Sequence, residues 1–365
     1  MFCLSIILFI YFVAILLLIY GFTKVKNYNA IGLKPKTTFS IVVPFRNEAE
    51  NLPILLESIS KLNYPMDLFE IILVDDASDC RPQIADFRFK ISITNNIRVS
   101  NSPKKDAITT AIPLAKNNWI ITTDADCIVS ENWLLTLDNY IQTYTVEMIA
   151  GAVTYACKNS FLHHFQQLDL ASLQGATIGS FGINKAFMCN GANLAYSKSL
   201  FKKLNGFDGN AKIASGDDVF LLQKAIAQFP NKVHYLKSEN TIVKTKPLNN
   251  WKALFYQRVR WASKTTSYQS TFGKLLGLIV FGGNIAALFV VYCLFFGREN
   301  NYLLCFLLLA KLTIDFVLIH KTNRFLRTKT VSFLASSILY PFFSVSIALY
   351  SLFGKYEWKG RQFKR

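Results

Sequence analysis

Apolar positions follow two different patterns along this chain. Four blocks are apolar with almost no relief: residues 2–21, 275–297, 302–320 and 331–354. Each is close to the ~20 residues a helix needs to cross a bilayer. Between the first and second blocks, short continuous apolar runs alternate with stretches where apolar residues recur every three or four positions. The runs predict buried strands and the recurrences amphipathic helices. The expected organisation is therefore a membrane anchor at 1–22, a large polar-surfaced domain at 23–272, a C-terminal membrane region at 273–354 and a basic tail at 355–365.

The first block lacks the flanks of a cleaved leader. No Lys or Arg precedes it and Ile19-Tyr20-Gly21-Phe22 is not a small-residue cleavage site, so a retained anchor is expected. Pro341 divides the last block and leaves two readings, one span or a broken re-entrant segment. Its 24 residues are too few for two crossings. Lys311 and Asp315 lie one helical turn apart inside the third block. Intramembrane charges are costly and by default functional, but an i, i+4 pair also satisfies itself. A structural pair and a place beside a lipid acceptor are both open.

In the middle region, Phe39-Ser40-Ile41-Val42-Val43-Pro44 reads as a buried strand closed by proline. Asn47 and Glu50 have the spacing of a capping box, and Leu52, Leu55, Leu56 and Ile59 give the following helix its apolar face. Residues 70–74 form a second predicted strand, Ile97-Arg98-Val99 a short third, 104–116 a helix and 119–123 a fourth strand. Strands alternating with helices predict an α/β domain with a doubly wound, mostly parallel sheet. Such sheets bind ligands outside their C-terminal strand ends. Here three consecutive ends are polar: Pro44 to Glu48, Asp75-Asp76 and Asp124-Ala125-Asp126.

Composition narrows the class. The hydrophobic fraction of 52%, with 31 Phe, is high for a soluble protein, and the surplus is concentrated in the four blocks. A net charge of +17 would suit a nucleic-acid binder, but no nucleic-acid motif accompanies it. The cations cluster instead at Lys24, Lys26, Lys34 and Lys36 and within 320–329, flanking the apolar blocks. Such clusters mark the cytoplasmic side of a membrane. A multi-pass protein of the cell membrane with a cytoplasmic middle domain is expected, although three later spans would place the basic tail on the opposite side. Seven scattered cysteines without a C-x-x-C pair indicate neither a zinc site nor a disulfide framework. His163-His164, between apolar residues, read as surface or packing residues. No G-x-G-x-x-G or G-x-x-x-x-G-K-[ST] is present, which argues against a dinucleotide cofactor or a P-loop.

Three groups carry candidate chemistry. Asp124 and Asp126, one residue apart at a strand end, can hold a divalent cation against a diphosphate. Asp217 and Asp218 in Ser215-Gly216-Asp217-Asp218 open a predicted helix; they could merely favour its dipole, or one could face an acceptor. Gln257, Arg260 and Trp261 stand at i, i+3 and i+4, hence on one helical face. Arg forks onto phosphate and an indole face packs on sugar C–H groups, although an interfacial anchor is the bland alternative.

With IVVPFRNE (41–48), LVDDAS (73–78), TTDAD (122–126), SGDD (215–218) and QRVRW (257–261) in order, the chain resembles membrane-integrated family 2 glycosyltransferases. These include cellulose, chitin and hyaluronan synthases and ceramide glucosyltransferases. The resemblance covers about residues 39–265 and implies a GT-A fold, Rossmann-like, with one N-terminal and about three C-terminal transmembrane helices. It also implies residue roles. Pro44, Arg46 and Glu48 border the nucleoside, and Asp76, beside Asp75, reads the uracil edge. Lys104 or Lys105 reaches the diphosphate, with Pro103-Lys104 where the family has G-K. Asp126 binds Mg²⁺ or Mn²⁺, while Asp124 contacts the ribose or the same ion. Asp218 is the expected base, with Asp217 replacing the Glu of the family's T-E-D. Gln257, Arg260 and Trp261 close over the diphosphate and the acceptor sugar. The implied activity is inverting transfer of a hexose or N-acetylhexosamine from a UDP-sugar to a lipid or polysaccharide, with synthase or export partner subunits possible. The competing expectation is a non-catalytic nucleotide-sugar-binding subunit of a polysaccharide synthase complex.

Overall fold

The computed structural model describes residues 2–80, 84, 86–211, 213–297 and 301–353, with backbone strands at 356–358 and 361–363. The chain forms two compact units, one of residues 26–156 and 188–246, the other of residues 1–25, 157–187 and 247–365.

The first unit is an α/β domain. Its seven-stranded sheet has the order β3 (Lys90–Asn95), β2 (Phe69–Asp75), β1 (Phe39–Phe45), β4 (Trp119–Thr122), β8 (Leu194–Ser197), β6 (Met148–Gly151), β9 (Val233–Leu236). The first four strands are parallel, and β8 runs antiparallel to both β4 and β6. This is the expected mixed, mostly parallel sheet. β2 is buried at all seven positions and β1 at six, as continuous apolar runs in a covered parallel sheet should be. Phe39, Ile41, Val43 and Phe45 pack with Leu52, Leu55, Leu56 and Ile59 of α2 (Leu52–Ser60) and with Trp133, Leu134 and Leu137 of α4 (Trp133–Thr143). A small second sheet joins β5 (Cys127–Ile128), β10 (Val243–Thr245) and β7 (Val153–Tyr155).

Two local expectations are corrected. Asn47 does not cap α2. It adopts a left-handed conformation, φ 55°, which Asn tolerates better than most residues. Its backbone N–H and side-chain amide donate to Ser78 Oγ and Asp79 Oδ2, at 2.9 and 2.8 Å. The helix begins at Leu52, where Pro53 in its first turn fits a position that lacks an intrahelical N–H partner. Nor is Ile97-Arg98-Val99 a strand. β3 lies earlier, at 90–95, as a half-exposed edge strand, and Ile97 and Val99 are exposed in the loop after it. An edge strand of this kind alternates polar and apolar residues and so presents no continuous apolar run.

The second unit is helical. α1 (Phe2–Lys24), α9 (Thr271–Phe296), α10 (Asn301–Phe325) and α11 (Phe333–Phe353) are each long and apolar enough to cross a membrane. Pro341 lies inside a continuous α11, so the broken reading falls; neighbouring groups in a membrane bundle commonly compensate a helix proline. α5 (Phe161–Gly182), an element the apolar pattern did not reveal, packs on α1 where Gly179 lies against the Leu18 backbone, too close for a side chain. Lys311 and Asp315 pair at 2.8 Å, and Tyr11 Oη donates to Asp315 Oδ1 at 2.6 Å, so the pair is part of the helix packing. α8 (Trp251–Ser263) completes the unit, its start capped by Asn250, whose side chain accepts from the Ala253 N–H at 2.7 Å. The expected basic tail falls largely outside the described residues; only the strand pair β11 (Tyr356–Trp358) and β12 (Arg361–Phe363) is seen there.

Candidate active site

The parallel strands bring the three polar ends together. Asp76 N–H donates to Phe45 O at 2.8 Å and Thr123 N–H to Val42 O at 3.3 Å, so the chain leaves β2 and β4 on either side of the β1 end. Arg46 turns back onto the first of these, donating through Nη1 to the carbonyls of Asp76 and Ala77 at 2.8 and 2.7 Å. Asp75 serves the same turn by accepting the Ser78 N–H at 2.9 Å. Glu48 accepts from the Asn51 side-chain amide just ahead of α2, and Pro44 is half-buried within β1. Asp76 is buried, and its Oδ1 accepts from Asn96 Nδ2 at 2.7 Å and Arg98 Nη1 at 3.3 Å. Arg98 is held in turn by Asp106 Oδ2 at 3.1 Å. Asn96, Arg98 and Asp106 were not singled out by sequence.

The two candidate lysines part company. α3 (Pro103–Leu114) starts with both, and consecutive helical residues diverge by about 100°. Lys105 points into the protein and donates to the carbonyls of Asn210 and Ile213 at 2.7 and 2.9 Å. Lys104 Nζ lies 2.6 Å from Asp124 Oδ1 and 3.5 Å from Asp217 Oδ2. Burial alone would lower the pKa of this ammonium. Asp124, Asp217 and Asp218 outweigh burial and hold it above the ordinary lysine value.

Asp217 and Asp218 open α7 (Asp217–Gln228). Asp218 is oriented by two backbone donors, Gly191 N–H to Oδ2 at 3.0 Å and Val219 N–H to Oδ1 at 2.7 Å. Gly191 also ties the site to β4, because its carbonyl accepts from Thr122 Oγ1 at 2.8 Å. Its loop is anchored by the buried Asn193, which accepts from Trp133 Nε1 at 3.1 Å and donates to Ala152 O and Thr241 O at 2.8 and 2.7 Å. Asp124, Asp217, Asp218 and Lys104 thus form one cluster linked through Gly191. No sequence motif pointed to Gly191 or Asn193.

Among the described residues, no three His, Cys, Asp or Glu side chains gather into a preformed metal cluster. The donor chemistry still fits a hard divalent cation. Asp124 and Asp126 offer carboxylate oxygens at a strand end, and the Lys104 ammonium already marks the place as one that attracts positive charge. Hard ions of this type complete their shell with substrate phosphates and water. Gln257, Arg260 and Trp261 belong to α8 of the helical unit, all partly buried.

Comparison with known proteins gives a family match and a likeness of fold. Residues 40–204 match the model of Glycosyl transferase family 2. Glycosyltransferase GlyG of Streptococcus pneumoniae serotype 4 is 35% identical over 117 residues, which make up 31% of this chain; the match spans 38% of that relative's length. The solved mannosyltransferase PcManGT from Pyrobaculum calidifontis, in complex with GDP-Man and Mn²⁺, aligns over 96% of this chain and 98% of its own. Its TM-score is 0.59 at 16% identity, a likeness of fold. Residues 40–204 thus match Glycosyl transferase family 2 within a GT-A-like α/β fold, and the chain adds four helices long and apolar enough to cross a membrane.

Proposed function

We propose that the protein is an inverting glycosyltransferase of the cell membrane. It moves a hexose or N-acetylhexosamine from a nucleoside-diphosphate sugar, a UDP-sugar in the first instance, to a lipid or polysaccharide acceptor. The observation that carries this reading is the single ammonium of Lys104 held between Asp124 and Asp217, with Asp218 on the same helix start. Cationic and anionic groups so placed at the C-terminal ends of parallel strands suit a diphosphate and its leaving chemistry.

In this mechanism Asp218 accepts the proton of an acceptor hydroxyl. The oxygen attacks the anomeric carbon from the face opposite the diphosphate, one C–O bond forms as the other breaks, and the configuration inverts. Lys104 stays protonated and gives positive charge to the departing phosphate. Asp76, set by Asn96 and Arg98, reads the base. Gln257, Arg260 and Trp261 serve the diphosphate and the acceptor sugar. A divalent cation held by Asp126 and Asp124 would supply charge compensation for the leaving group when bound.

The test is release of nucleoside diphosphate by purified protein in detergent, against a panel of UDP-sugars and, because PcManGT was solved with GDP-Man, GDP-sugars. Metal-dependent release by the wild type is expected, and Asp218→Asn should lower it by about 10²–10⁴-fold while nucleotide binding persists. Binding without release in the wild type would favour the non-catalytic subunit instead. A ladder of products would identify a polymer acceptor and a single added sugar a glycolipid.

A further inference from the structure

The most buried polar side chain of the Gln257–Trp261 stretch is Arg258, to which the sequence motif gives no part. It is 5% exposed, and its Nε donates to Asp169 Oδ2 on α5 at 2.5 Å; Asp169 is 6% exposed. Arg258 also reaches two of the three motif residues. Its Nη1 donates to Gln257 Oε1, and its Cζ lies 4.2 Å from the centroid of the Trp261 ring. Positions 258 and 261 are i and i+3, so stacking between them is what a helix permits.

Asp169 is well placed to act as a fixed reference. α5 is held on one side by Gln167 Nε2, which donates to Asn323 Oδ1 at 3.0 Å and Thr328 Oγ1 at 3.1 Å. On the other, Phe165 packs against Trp251 at the start of α8 and Phe343 of α11, with ring centroids 5.1 Å apart in both cases. A buried ion pair is a weak source of stability, since desolvating both ions offsets their attraction and apolar replacement of the whole pair is often neutral or stabilising. A guanidinium, by contrast, has a rigid plane and donors in fixed directions.

We infer that Asp169 and Arg258 are positioning residues: the pair fixes the plane of the Trp261 indole and the amide of Gln257, so that α8 offers both in a single pose. The catalytic consequence rests on the role given to α8 in the proposed glycosyl transfer.

The experiment compares full-length wild type, Trp261→Phe, and the double variant Asp169→Leu/Arg258→Met, which removes both charges together. Three readouts are taken in detergent: Tm, the near-ultraviolet circular dichroism of Trp261 obtained by difference from Trp261→Phe, and kcat for nucleoside-diphosphate release. The double variant is expected to keep or raise Tm, lose the Trp261 signal and lose about tenfold or more in kcat. An unchanged Trp261 signal with unchanged kcat overturns the inference. If the double variant fails to fold, Arg258→Lys decides, because it keeps a cation on Asp169 and removes the plane; a retained Trp261 signal there overturns the inference and a lost one supports it. If the wild type turns over no nucleotide sugar, the proposed function fails, while the spectroscopic comparison still decides the positioning role.

Discussion

A Cβ on Gly191 would stand 2.9 Å from Asp217 Oδ2, 3.1 Å from Lys104 Nζ and 3.3 Å from Asp218 Cβ. The residue is therefore a backbone component of the site, and Gly191→Ala is expected to push the carboxylates apart. A displacement of that size can lower turnover by about 10²-fold, and kcat measured beside an unchanged far-ultraviolet dichroism spectrum checks it. Lys104 makes a different prediction. Its neighbouring carboxylates hold its pKa above the ordinary value of about 10.4. The stabilisation it gains is fully present below that ordinary value and is lost only as pH rises through the elevated folded value. The pH–rate profile should accordingly show no alkaline limb from Lys104 between about pH 6 and 9. Lys104→Met, which removes the charge, should raise the donor KM at every pH in that window. Asp75, Asp76, Asp124 and Asp126 were legible because each sits next to an apolar run that ends where a strand ends, and Asp217 and Asp218 because they open the apolar run of α7. Gly191, Asn193, Asn96 and Arg98 were not, since their roles arise from partners fixed by tertiary register: Gly191 meets Asp218 across 27 positions and Asn193 meets Trp133 across 60.

Elements with one uniform environment were the easiest to read. β1 and β2 are covered on both faces and each of the four long helices holds a long, mostly apolar stretch, so composition alone outlined them. β3 at the sheet edge and α5 in the helical unit were missed for the same reason: each mixes polar and apolar neighbours. α5 buries Gln166, Gln167, Asp169 and Gln174 beside Phe165 and Leu168, a pattern with no single apolar face. Its attachment to α1 relies on the absence of side chains, with Gly179 against the Leu18 backbone and Gly21 against Gly179 and Ile183. Such close approach of helix backbones is characteristic of small residues at membrane helix contacts. Gly179→Leu is expected to force α1 and α5 apart, at a cost of about 1–3 kcal/mol or more. Thermal unfolding in detergent would register this as a lowered Tm, whereas Gly277→Ala on α9, where the nearest atom to a new Cβ is 3.8 Å away, should leave Tm nearly unchanged.

At the scale of the helical unit, the direction of the spans can be followed through their contacts. Leu4 and Leu8 of α1 cluster with Leu304 of α10, Tyr11 meets Asp315, and Phe22 packs edge-on to Phe325 with centroids 6.4 Å apart. α1 and α10 therefore run parallel. Lys24 at the end of the first and Arg324, Arg327 and Lys329 at the end of the other gather at one end of the bundle, although some three hundred positions separate them in sequence. α9 runs the other way, since Gly283 lies against Tyr11 while Val290 and Cys293 join the Leu4 and Leu8 cluster. Basic residues concentrated at one end of a bundle are held on the cytoplasmic side by the insertion machinery and by anionic lipids. The bias predicts that the Lys24 and Lys329 end faces the cytoplasm, which native-membrane labelling can test in a cysteine-free background. Lys24→Cys and Lys329→Cys should react with a membrane-impermeant maleimide only in inside-out vesicles. Tyr302→Cys, 90% exposed at the opposite end of α10, should react only in right-side-out ones. Labelling of positions 302 and 329 from the same side would mean that α10 does not cross the membrane, and the parallel pairing of α1 and α10 would then have to lie within one leaflet.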